Sequence, residues 1–263
     1  MKRALLMGNG PSLKKLIEFG FDNIPDDIYT VGLNAAYRYF DEIGWYPNCI
    51  GSFDPKITKG FLPGMLEMVK KEECTTEKIL TLVSDGRSIN PFLTQEILAG
   101  PIIPELDARI NHLWLNPTWY NHNTGYCTSG HNAAKFLLQE GYDIIYLIGM
   151  DNNYIDNVNL KVSHKLISSL WDSDTTSKGN KFLDKTPEKN PNYFTDDYQK
   201  KGDILNYPGS DRANENGNIT WKELYDNLKM NDKLKDHRIV NLSDISNVPF
   251  FEFSTIEKEF NKK

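Results

Sequence analysis

The sequence begins MKRALLMGNGPSL (residues 1–13), and the hexapeptide GNGPSL directly follows the short apolar run of residues 4–7. Glycine adopts positive φ angles freely and asparagine does so more readily than most residues, so GNG predicts a tight turn. Pro11 suits the first turn of a helix, because its ring fixes φ near the helical value. Strand, turn and helix in this order direct N–H groups and a positive helix end toward one spot, which suits a phosphate or carboxylate. A turn without a ligand is the alternative.

Composition and charge narrow the class of protein. The chain has 263 residues, of which 39% are hydrophobic and 12% aromatic, enough for a sizeable core. Its net charge of −6 argues against general nucleic-acid binding, which goes with a basic balance. Three cysteines without CxxC spacing predict a reducing compartment and no structural zinc site. No apolar run reaches about 18 residues and no signal peptide precedes the first strand, so we expect a cytoplasmic protein without a transmembrane segment.

Strand-like and helix-like segments alternate over the first 150 residues. The predicted strands are residues 4–7, 28–33, 48–53, 78–84 and 144–148, and the predicted helices are 12–19, 35–43, 63–71 and 131–140. This alternation predicts an α/β fold with a doubly wound, mainly parallel sheet. In such sheets ligands bind beyond the carboxyl ends of the strands.

Small, polar and acidic residues follow the predicted strands at that edge. They are Gly8, Asn9, Gly10, Asn34, Asp54, Ser84, Asp85, Gly149 and Asp151. Each alone is an ordinary turn former or helix cap, but five strand ends of this kind favour a binding crevice. Thr128 and Ser129 precede a further helix, where their hydroxyls either cap the helix or donate to a phosphate.

A long polar insert occupies residues 155–212, and hydrophobic periodicity is faint within it. An insert placed after a ligand-side strand is either a lid or a poorly ordered surface loop. Its aromatic residues favour the lid, since they could cover a substrate; they include Trp171, Tyr193, Phe194 and Tyr198. Beyond it we predict a helix at 220–228, a strand at 238–242 and a terminal segment at 250–260, all within a single domain over residues 1–263.

Several motifs together resemble the bacterial sialyltransferases of glycosyltransferase family 42 and the related domain of unknown function 115 proteins. The motifs are MGNGPSL (residues 7–13), VGLN (31–34) and CTSGHNAAKFLLQEGYDIIYLIGMD (127–151), and the match covers roughly residues 1–155. The resemblance implies a Rossmann-like glycosyltransferase fold of the type called A, which binds a CMP-sugar without a metal. It also implies transfer of a sialic-acid-like sugar to a hydroxyl of a glycan, a lipid-linked saccharide or a protein. Because family members often assemble, a homo-oligomer is a further expectation.

The resemblance assigns roles to individual residues. It places Gly8, Asn9, Gly10 and Ser12 on the phosphate and ribose side, Asn34 at the ribose or base, Thr128 and Ser129 at the phosphate, and Gly149 and Asp151 at the cytosine or ribose. Asp54 stands where the sialyltransferases carry an asparagine, which puts negative charge near the nucleotide.

The catalytic base is the larger departure from the family. Where the sialyltransferases have a histidine on the lid, this chain has Tyr193. A tyrosine with a pKa of about 10 is a poor base near pH 7, although it can donate to a phosphate. The other candidates for the base are His131, His164, Asp196 and Asp197. Either histidine could instead be an ordinary helix residue.

Two further functions stay open. One is diphosphate transfer from ATP to an alcohol, with Mg²⁺ held by Asp54, Asp85 and Asp151; the acidic residue at position 54 favours it. The other is a catalytically reduced nucleotide- or sugar-binding protein, and the tyrosine at position 193 favours that function.

Overall fold

The structure, a computed structural model, describes residues 1–53, 55–82, 110–113, 128–156, 160–165, 180–205 and 209–261. Its strands are β1 (Arg3–Met7), β2 (Ile28–Leu33), β3 (Cys49–Ser52), β4 (Lys78–Leu82), β5 (Ile110–Leu113), β6 (Ile144–Ile148), β7 (Val162–Lys165), β8 (Asn180–Leu183), β9 (Ile204–Leu205), β10 (Arg238–Asn241) and β11 (Glu252–Phe253). Over these ranges, eight strands form one sheet in the order β11-β10-β6-β1-β2-β3-β4-β5. Every neighbouring pair in this sheet is parallel, which confirms the predicted sheet.

Strand β1 lies at the centre of the sheet, where the order of the strands reverses. Strand β1 pairs with β2 on one side and with β6 on the other, and Met7 lies level with both Gly32 and Ile148. Strands β2 to β5 lead from there to one edge of the sheet, and β6, β10 and β11 lead to the opposite edge. In open α/β sheets the ligand crevice forms at this switch point, beyond the carboxyl ends of the strands.

Helices cover both faces of the sheet. They are α1 (Leu13–Phe19), α2 (Tyr37–Ile43), α3 (Pro55–Val69), α4 (Ser129–Gln139), α5 (Ser210–Met230) and α6 (Ile256–Phe260), and 3₁₀ turns occupy Phe21–Asn23 and Asn34–Ala36. Successive β1 residues point to opposite faces, so Leu5 packs with α1, α2, α3 and α6, whereas Leu6 packs with α4 and α5. None of the described helices has the length and apolar character that crossing a membrane requires.

Two helices begin eight or more residues earlier than the sequence predicts. Helix α3 begins at Pro55 rather than at residue 63, and Pro63 lies inside it. Proline is favoured in a first helical turn, which made Pro63 the apparent start, but Pro55 fills that place. Helix α5 begins at Ser210, ten residues before the predicted start at 220. Its first half is polar, and it is stabilised by hydrogen bonds from the loop after β6 rather than by burial of apolar side chains.

The insert contains strands that the sequence did not predict. Strands β7, β8 and β9 form a separate antiparallel sheet, and β9 lies against α3. His164 lies on β7, opposite Lys181, so its expected place on a helix surface is wrong. The residues that connect β8 to β9 (184–203) return toward the main sheet. Trp171 lies outside the described residues.

Candidate functional site

The crevice begins where the turn after β1 meets the turn after β6. The N–H of Gly8 donates to the carbonyl of Ile148 at 2.7 Å, and the N–H of Gly10 donates to that of Gly149 at 2.8 Å. Gly149 has a φ of +70°, and a Cβ added there would lie 2.5 Å from the carbonyl oxygen of Gly8. Glycine is therefore required at 149 for both its backbone angle and the close approach of the two turns.

A buried carboxylate holds the amino end of α1. Asp151 is 2% exposed, and its Oδ2 accepts from the backbone N–H of Ser12 at 2.7 Å. Its Oδ1 accepts from the hydroxyl of Ser12 and, at 2.8 Å, from the hydroxyl of Ser243. The hydroxyl oxygen of Ser12 also accepts from the N–H of Gly149 at 2.8 Å. Groups within the protein thus form hydrogen bonds with the side chains of both Asp151 and Ser12, which gives them a structural role. Their roles as nucleotide contacts stay predictions.

The turn after β2 and the start of α4 meet on the other side of β1. Asn34 directly follows β2 with a φ of +51°, and its Oδ1 accepts from the hydroxyl of Ser129 at 3.4 Å. Thr128 caps α4, because its Oγ1 accepts from the N–H of His131 at 3.2 Å. This cap uses a lone pair on the hydroxyl oxygen, so the hydroxyl proton of Thr128 is free to be donated elsewhere.

Asn9 lies in the first turn, between Gly8 and Gly10. Its side-chain Oδ1 is buried and accepts no hydrogen bond from any described residue. Its backbone carbonyl accepts from the N–H of Phe194 at 3.0 Å. A buried oxygen without a donor is costly, and a donor group on a ligand would satisfy it.

Residues 190–203, here called the docked segment, close over the first turn and over the start of α2. Phe194 is 3% exposed and packs edge-on against Tyr39, with ring centroids 5.2 Å apart. The hydroxyl oxygen of Tyr198 accepts from the N–H of Ala35 at 3.2 Å, immediately after Asn34. Burial raises the pKa of Tyr198 well above its usual range, so this hydroxyl stays protonated.

Asn192 and Tyr193 fix the start of the docked segment. The amide of Asn192 makes two hydrogen bonds of 2.8 Å with the backbone of Ile155, one in each direction. The ring of Tyr193 stacks on that of Tyr198 with centroids 4.2 Å apart, and its hydroxyl accepts from Nε2 of Gln199 at 3.5 Å. Tyr193 therefore belongs to the segment that covers the first turn, and its catalytic role stays a prediction.

His131 is buried away from solvent. It is 2% exposed, its ring lies edge-on to Trp221 at 6.3 Å, and neither ring nitrogen bonds to a described residue. Burial holds the pKa of His131 well below its usual range, and the nearby Lys135 lowers it further. A neutral imidazole enclosed in this way is poorly placed to take a proton from an acceptor, which disfavours His131 as the base.

The other candidate bases and acidic residues are placed as follows. Asp196 accepts from the N–H of Asn190 at 3.0 Å, and Asp197 is exposed, 3.8 Å from the amino group of Lys200. For His164 the structure gives the position on β7 and no side-chain detail. Asp54, Ser84 and Asp85 lie outside the described residues.

The loop after β6 is joined to the first half of α5 by hydrogen bonds that sequence reasoning missed. Asn152, with a φ of +47°, donates to the carbonyl of Asn214 at 3.0 Å and to Oδ1 of Asn218 at 2.9 Å. The amide of Asn214 bonds to the backbone of Tyr154 in both directions, at 2.8 and 2.9 Å. Burial, and secondarily the charge of Asp151, raises the pKa of Tyr154, so its phenol is a donor at neutral pH. These asparagines carry no pattern that would have identified them.

Comparison with solved structures identifies the fold. Sialyltransferase CstII from Campylobacter jejuni in complex with cytidine-5'-monophosphate matches with a TM-score of 0.57 and 16% identity, over 96% of this chain and 85% of that chain. The fold is the one found in these sialyltransferases. CST-II in complex with a trisaccharide acceptor and CMP gives 0.55 and 17%, over 96% and 86% of the two chains. The monofunctional alpha-2,3-sialyltransferase Cst-I from Campylobacter jejuni gives 0.55 and 17%, over 97% and 80%. Neither a protein-family model nor a curated protein matches the chain.

Proposed function

We propose that this protein is a cytoplasmic glycosyltransferase related to the sialyltransferases of glycosyltransferase family 42. It transfers a sialic-acid-like sugar from a CMP-sugar to a hydroxyl of a glycan, a lipid-linked saccharide or a protein. The observation that carries the proposal is the contact between Asn34 and Ser129 at the carboxyl ends of the central parallel strands, where ligands bind in open α/β sheets. CMP is bound to the CstII structure, which shares the fold over 96% of this chain.

The polar groups around this crevice suit a nucleotide monophosphate ester. Thr128 and Ser129 carry hydroxyls at the amino end of α4, where the helix dipole favours a phosphate. The amides of Asn9 and Asn34 offer acceptors and donors for ribose hydroxyls and for the edge of a base. Asp151 is occupied by Ser12 and Ser243, so its negative charge is already stabilised inside the protein.

The reaction that fits these groups is a single displacement. The acceptor oxygen attacks the anomeric carbon, and the bond from that carbon to the phosphate oxygen breaks. CMP leaves with the electron pair, and the hydroxyl proton passes to a base. The hydroxyl of Thr128 and, once it releases Asn34, the hydroxyl of Ser129 stabilise the charge that develops on the phosphate, and Tyr193 is our candidate for a further donor. His164 is the histidine that we propose as the base, since His131 is enclosed.

Diphosphate transfer is the less favoured function. It requires Asp151 as one of three Mg²⁺ ligands, whereas both oxygens of this carboxylate already accept hydrogen bonds from within the protein. A metal at Asp151 would have to displace these donors. The catalytically reduced alternative keeps the crevice and predicts nucleotide binding without transfer, so the same experiment separates the three functions.

The first test is a thermal-shift titration with CMP, CDP, UDP, GDP and ATP, each with and without Mg²⁺. A ligand that binds only the folded state adds about 2.7 kcal/mol at a hundred times its dissociation constant. We expect stabilisation by CMP that does not depend on Mg²⁺, followed by turnover of a CMP-sialic acid donor. Stabilisation by ATP that requires Mg²⁺ would overturn the proposal in favour of diphosphate transfer. Binding of CMP with no turnover of any CMP-sugar would instead identify a nucleotide-binding protein that has lost its catalytic activity.

The base is tested separately with His131→Ala and His164→Ala. We expect His164→Ala to lose most of the transfer activity while CMP binding is kept, and His131→Ala to lose activity only in proportion to its loss of folded protein. Wild-type turnover in both variants would show that neither histidine is the base.

A further inference from the structure

An ion pair ties the docked segment to helix α2. The guanidinium of Arg38 donates through Nη1 to Oδ2 and through Nη2 to Oδ1 of Asp203, each at 2.7 Å. The two side chains are 21% and 10% exposed, so most of the pair is shielded from water. Two parallel hydrogen bonds fix the mutual orientation of the groups as well as their distance.

The surroundings of Arg38 add to this tie. Nη1 of Arg38 also donates to the carbonyl of Tyr198 at 3.3 Å, and its guanidinium lies 5.1 Å from the ring centre of Phe61. Asp203 accepts in addition from the N–H of Lys200 at 2.8 Å. Arg38 thus contacts the docked segment at two points, and its guanidinium also lies over the ring of Phe61 in α3.

The same short stretch of chain carries the turn proposed to bind the nucleotide. Asn34 faces Ser129 at the crevice, Ala35 donates its N–H to Tyr198, and Arg38 reaches Asp203. Residues 34–38 therefore form one side of the crevice and also bind the docked segment. At the far end of this cover, Phe194 donates to the carbonyl of Asn9 in the first turn.

We propose that Arg38 and Asp203 are positioning residues that link occupation of the crevice to closure of the docked segment. The proposal rests on the function proposed above. Because Arg38 holds the docked segment against residues 34–38, a ligand that orders the turn at Asn34 also orders the cover over it. Loss of the pair leaves the crevice formed but its cover loose, so donor still binds while water gains access during transfer.

A merely structural ion pair makes a different prediction, and the chain supplies a matched control. Arg3 and Asp27 form a second bidentate pair, with hydrogen bonds of 2.5 to 3.0 Å, and Arg3 has the same 21% side-chain exposure as Arg38. Arg3 begins β1, at the end of the strand away from the crevice. Arg3→Gln therefore removes a bidentate Arg–Asp pair without touching the docked segment, although Asp27 is 62% exposed and Asp203 only 10%.

The experiment compares Arg38→Gln, Arg38→Lys, Asp203→Asn and the double variant Arg38→Gln/Asp203→Asn with Arg3→Gln. Amide hydrogen exchange is followed by mass spectrometry for residues 190–203, without and with saturating CMP. Steady-state assays with a CMP-sialic acid donor give kcat, the donor KM, and the ratio of donor hydrolysis to transfer.

We expect exchange in residues 190–203 to be at least ten-fold faster in Arg38→Gln and Asp203→Asn than in Arg3→Gln, and CMP to protect the segment less. We expect kcat to fall about ten-fold with the donor KM within three-fold, and hydrolysis to rise relative to transfer. The double variant should lower kcat and speed exchange no more than either single variant does, since the two residues act as one unit. Arg38→Lys should reduce kcat less than Arg38→Gln does, because lysine keeps the positive charge. It should not restore kcat fully, because lysine cannot form the two parallel hydrogen bonds.

Unchanged exchange in residues 190–203, or equal effects in Arg38→Gln and Arg3→Gln, would overturn the inference. A wild-type protein that binds no CMP would instead overturn the proposed function. In that case the exchange of the unliganded variants alone decides whether the ion pair holds the segment.

Discussion

The carboxylate of Asp151 receives both hydrogen-bond donors of Ser12, a residue 139 positions earlier in the chain, and the backbone bond is 2.7 Å long. The negative charge therefore lies at the amino end of α1, the end of a helix that favours an anion. In this protein the anion at that end is part of the chain itself. Under the proposed function, the nucleotide phosphate then binds at α4, the second helix of the crevice, which Thr128 caps and Ser129 begins.

The structural role of Asp151 predicts a large loss of stability in Asp151→Ala. The substitution leaves the N–H and hydroxyl of Ser12 and the hydroxyl of Ser243 buried without an acceptor, at about 1–3 kcal/mol for each group. We expect urea unfolding to show a loss of about 3 kcal/mol or more. Asp244→Ala is the control, because Asp244 is an exposed aspartate paired with Lys15, and such pairs contribute about 0–1 kcal/mol. Equal losses in the two variants would contradict this role.

The close approach of Gly149 to Gly8 predicts that Gly149→Ala is worse than an ordinary glycine substitution at positive φ. Gly141 supplies the comparison, since its φ of +76° resembles the +70° of Gly149 but nothing lies within 4 Å of its missing Cβ. Gly141→Ala should cost about 1 kcal/mol from its backbone angle alone. The added clash in Gly149→Ala should cost about 1–3 kcal/mol more by chemical denaturation, and should abolish stabilisation by CMP. The prediction fails if both variants unfold at the same denaturant concentration.

The side chain of Asn34 is predicted to matter for binding more than for folding. Asn34→Gly removes the amide but tolerates the φ of +51°, so we expect a stable protein. Its dissociation constant for CMP, measured by calorimetry, should rise at least ten-fold. The control is Asn23→Gly, which removes an exposed amide that bonds to the carbonyl of Phe19 outside the crevice. Wild-type affinity in Asn34→Gly would remove Asn34 from the nucleotide site.

Burial of His131 predicts a pH-dependent stability with a definite sign. In the folded protein its pKa lies well below the value of about 6.5 expected when unfolded, through burial first and Lys135 second. Below about pH 6.5 the unfolded chain therefore binds a proton that the folded chain does not, so stability is lost as pH falls. The loss should be at most about 1.4 kcal/mol per pH unit, and His131→Met should remove it. Unfolding curves with the same slope against pH in both proteins would show that His131 is not responsible.

The strands at the centre of the sheet could be predicted from sequence because each combines an apolar run with a glycine or asparagine at its end. Strands β2 and β6 have the predicted bounds, 28–33 and 144–148. Helix α5 shows where this reasoning fails. Its first half has little apolar periodicity, since amides of Asn152 and Asn214 hold it. Strands β7, β8 and β9 have two to four residues each, too few for an alternating pattern to be recognised.

The candidate site was predictable in its location and less so in its internal roles. The structure brings Asn34 and Ser129, two of the predicted site residues, within hydrogen-bond distance of each other, and their roles at a nucleotide stay predictions. Neither the resemblance nor the strand-end rule could show that Asp151 bonds to Ser12 and Ser243, because those donors come from distant parts of the chain. Nor could they show that Arg38 reaches Asp203, 165 residues away, because a charged pair at such a separation leaves no periodic pattern.

The bond between Gly8 and Ile148 also bears on how the protein is made. The first strand leaves the ribosome early, but its turn cannot close until the carbonyl of Ile148 and the carboxylate of Asp151 have been synthesised. At translation rates of about 5–20 residues per second, these partners are synthesised about 7 to 28 seconds after the glycine turn. Pairing across so long a stretch is also slow to form after synthesis. A nascent chain that stops before residue 148 therefore carries GNGPSL without the groups that shape it.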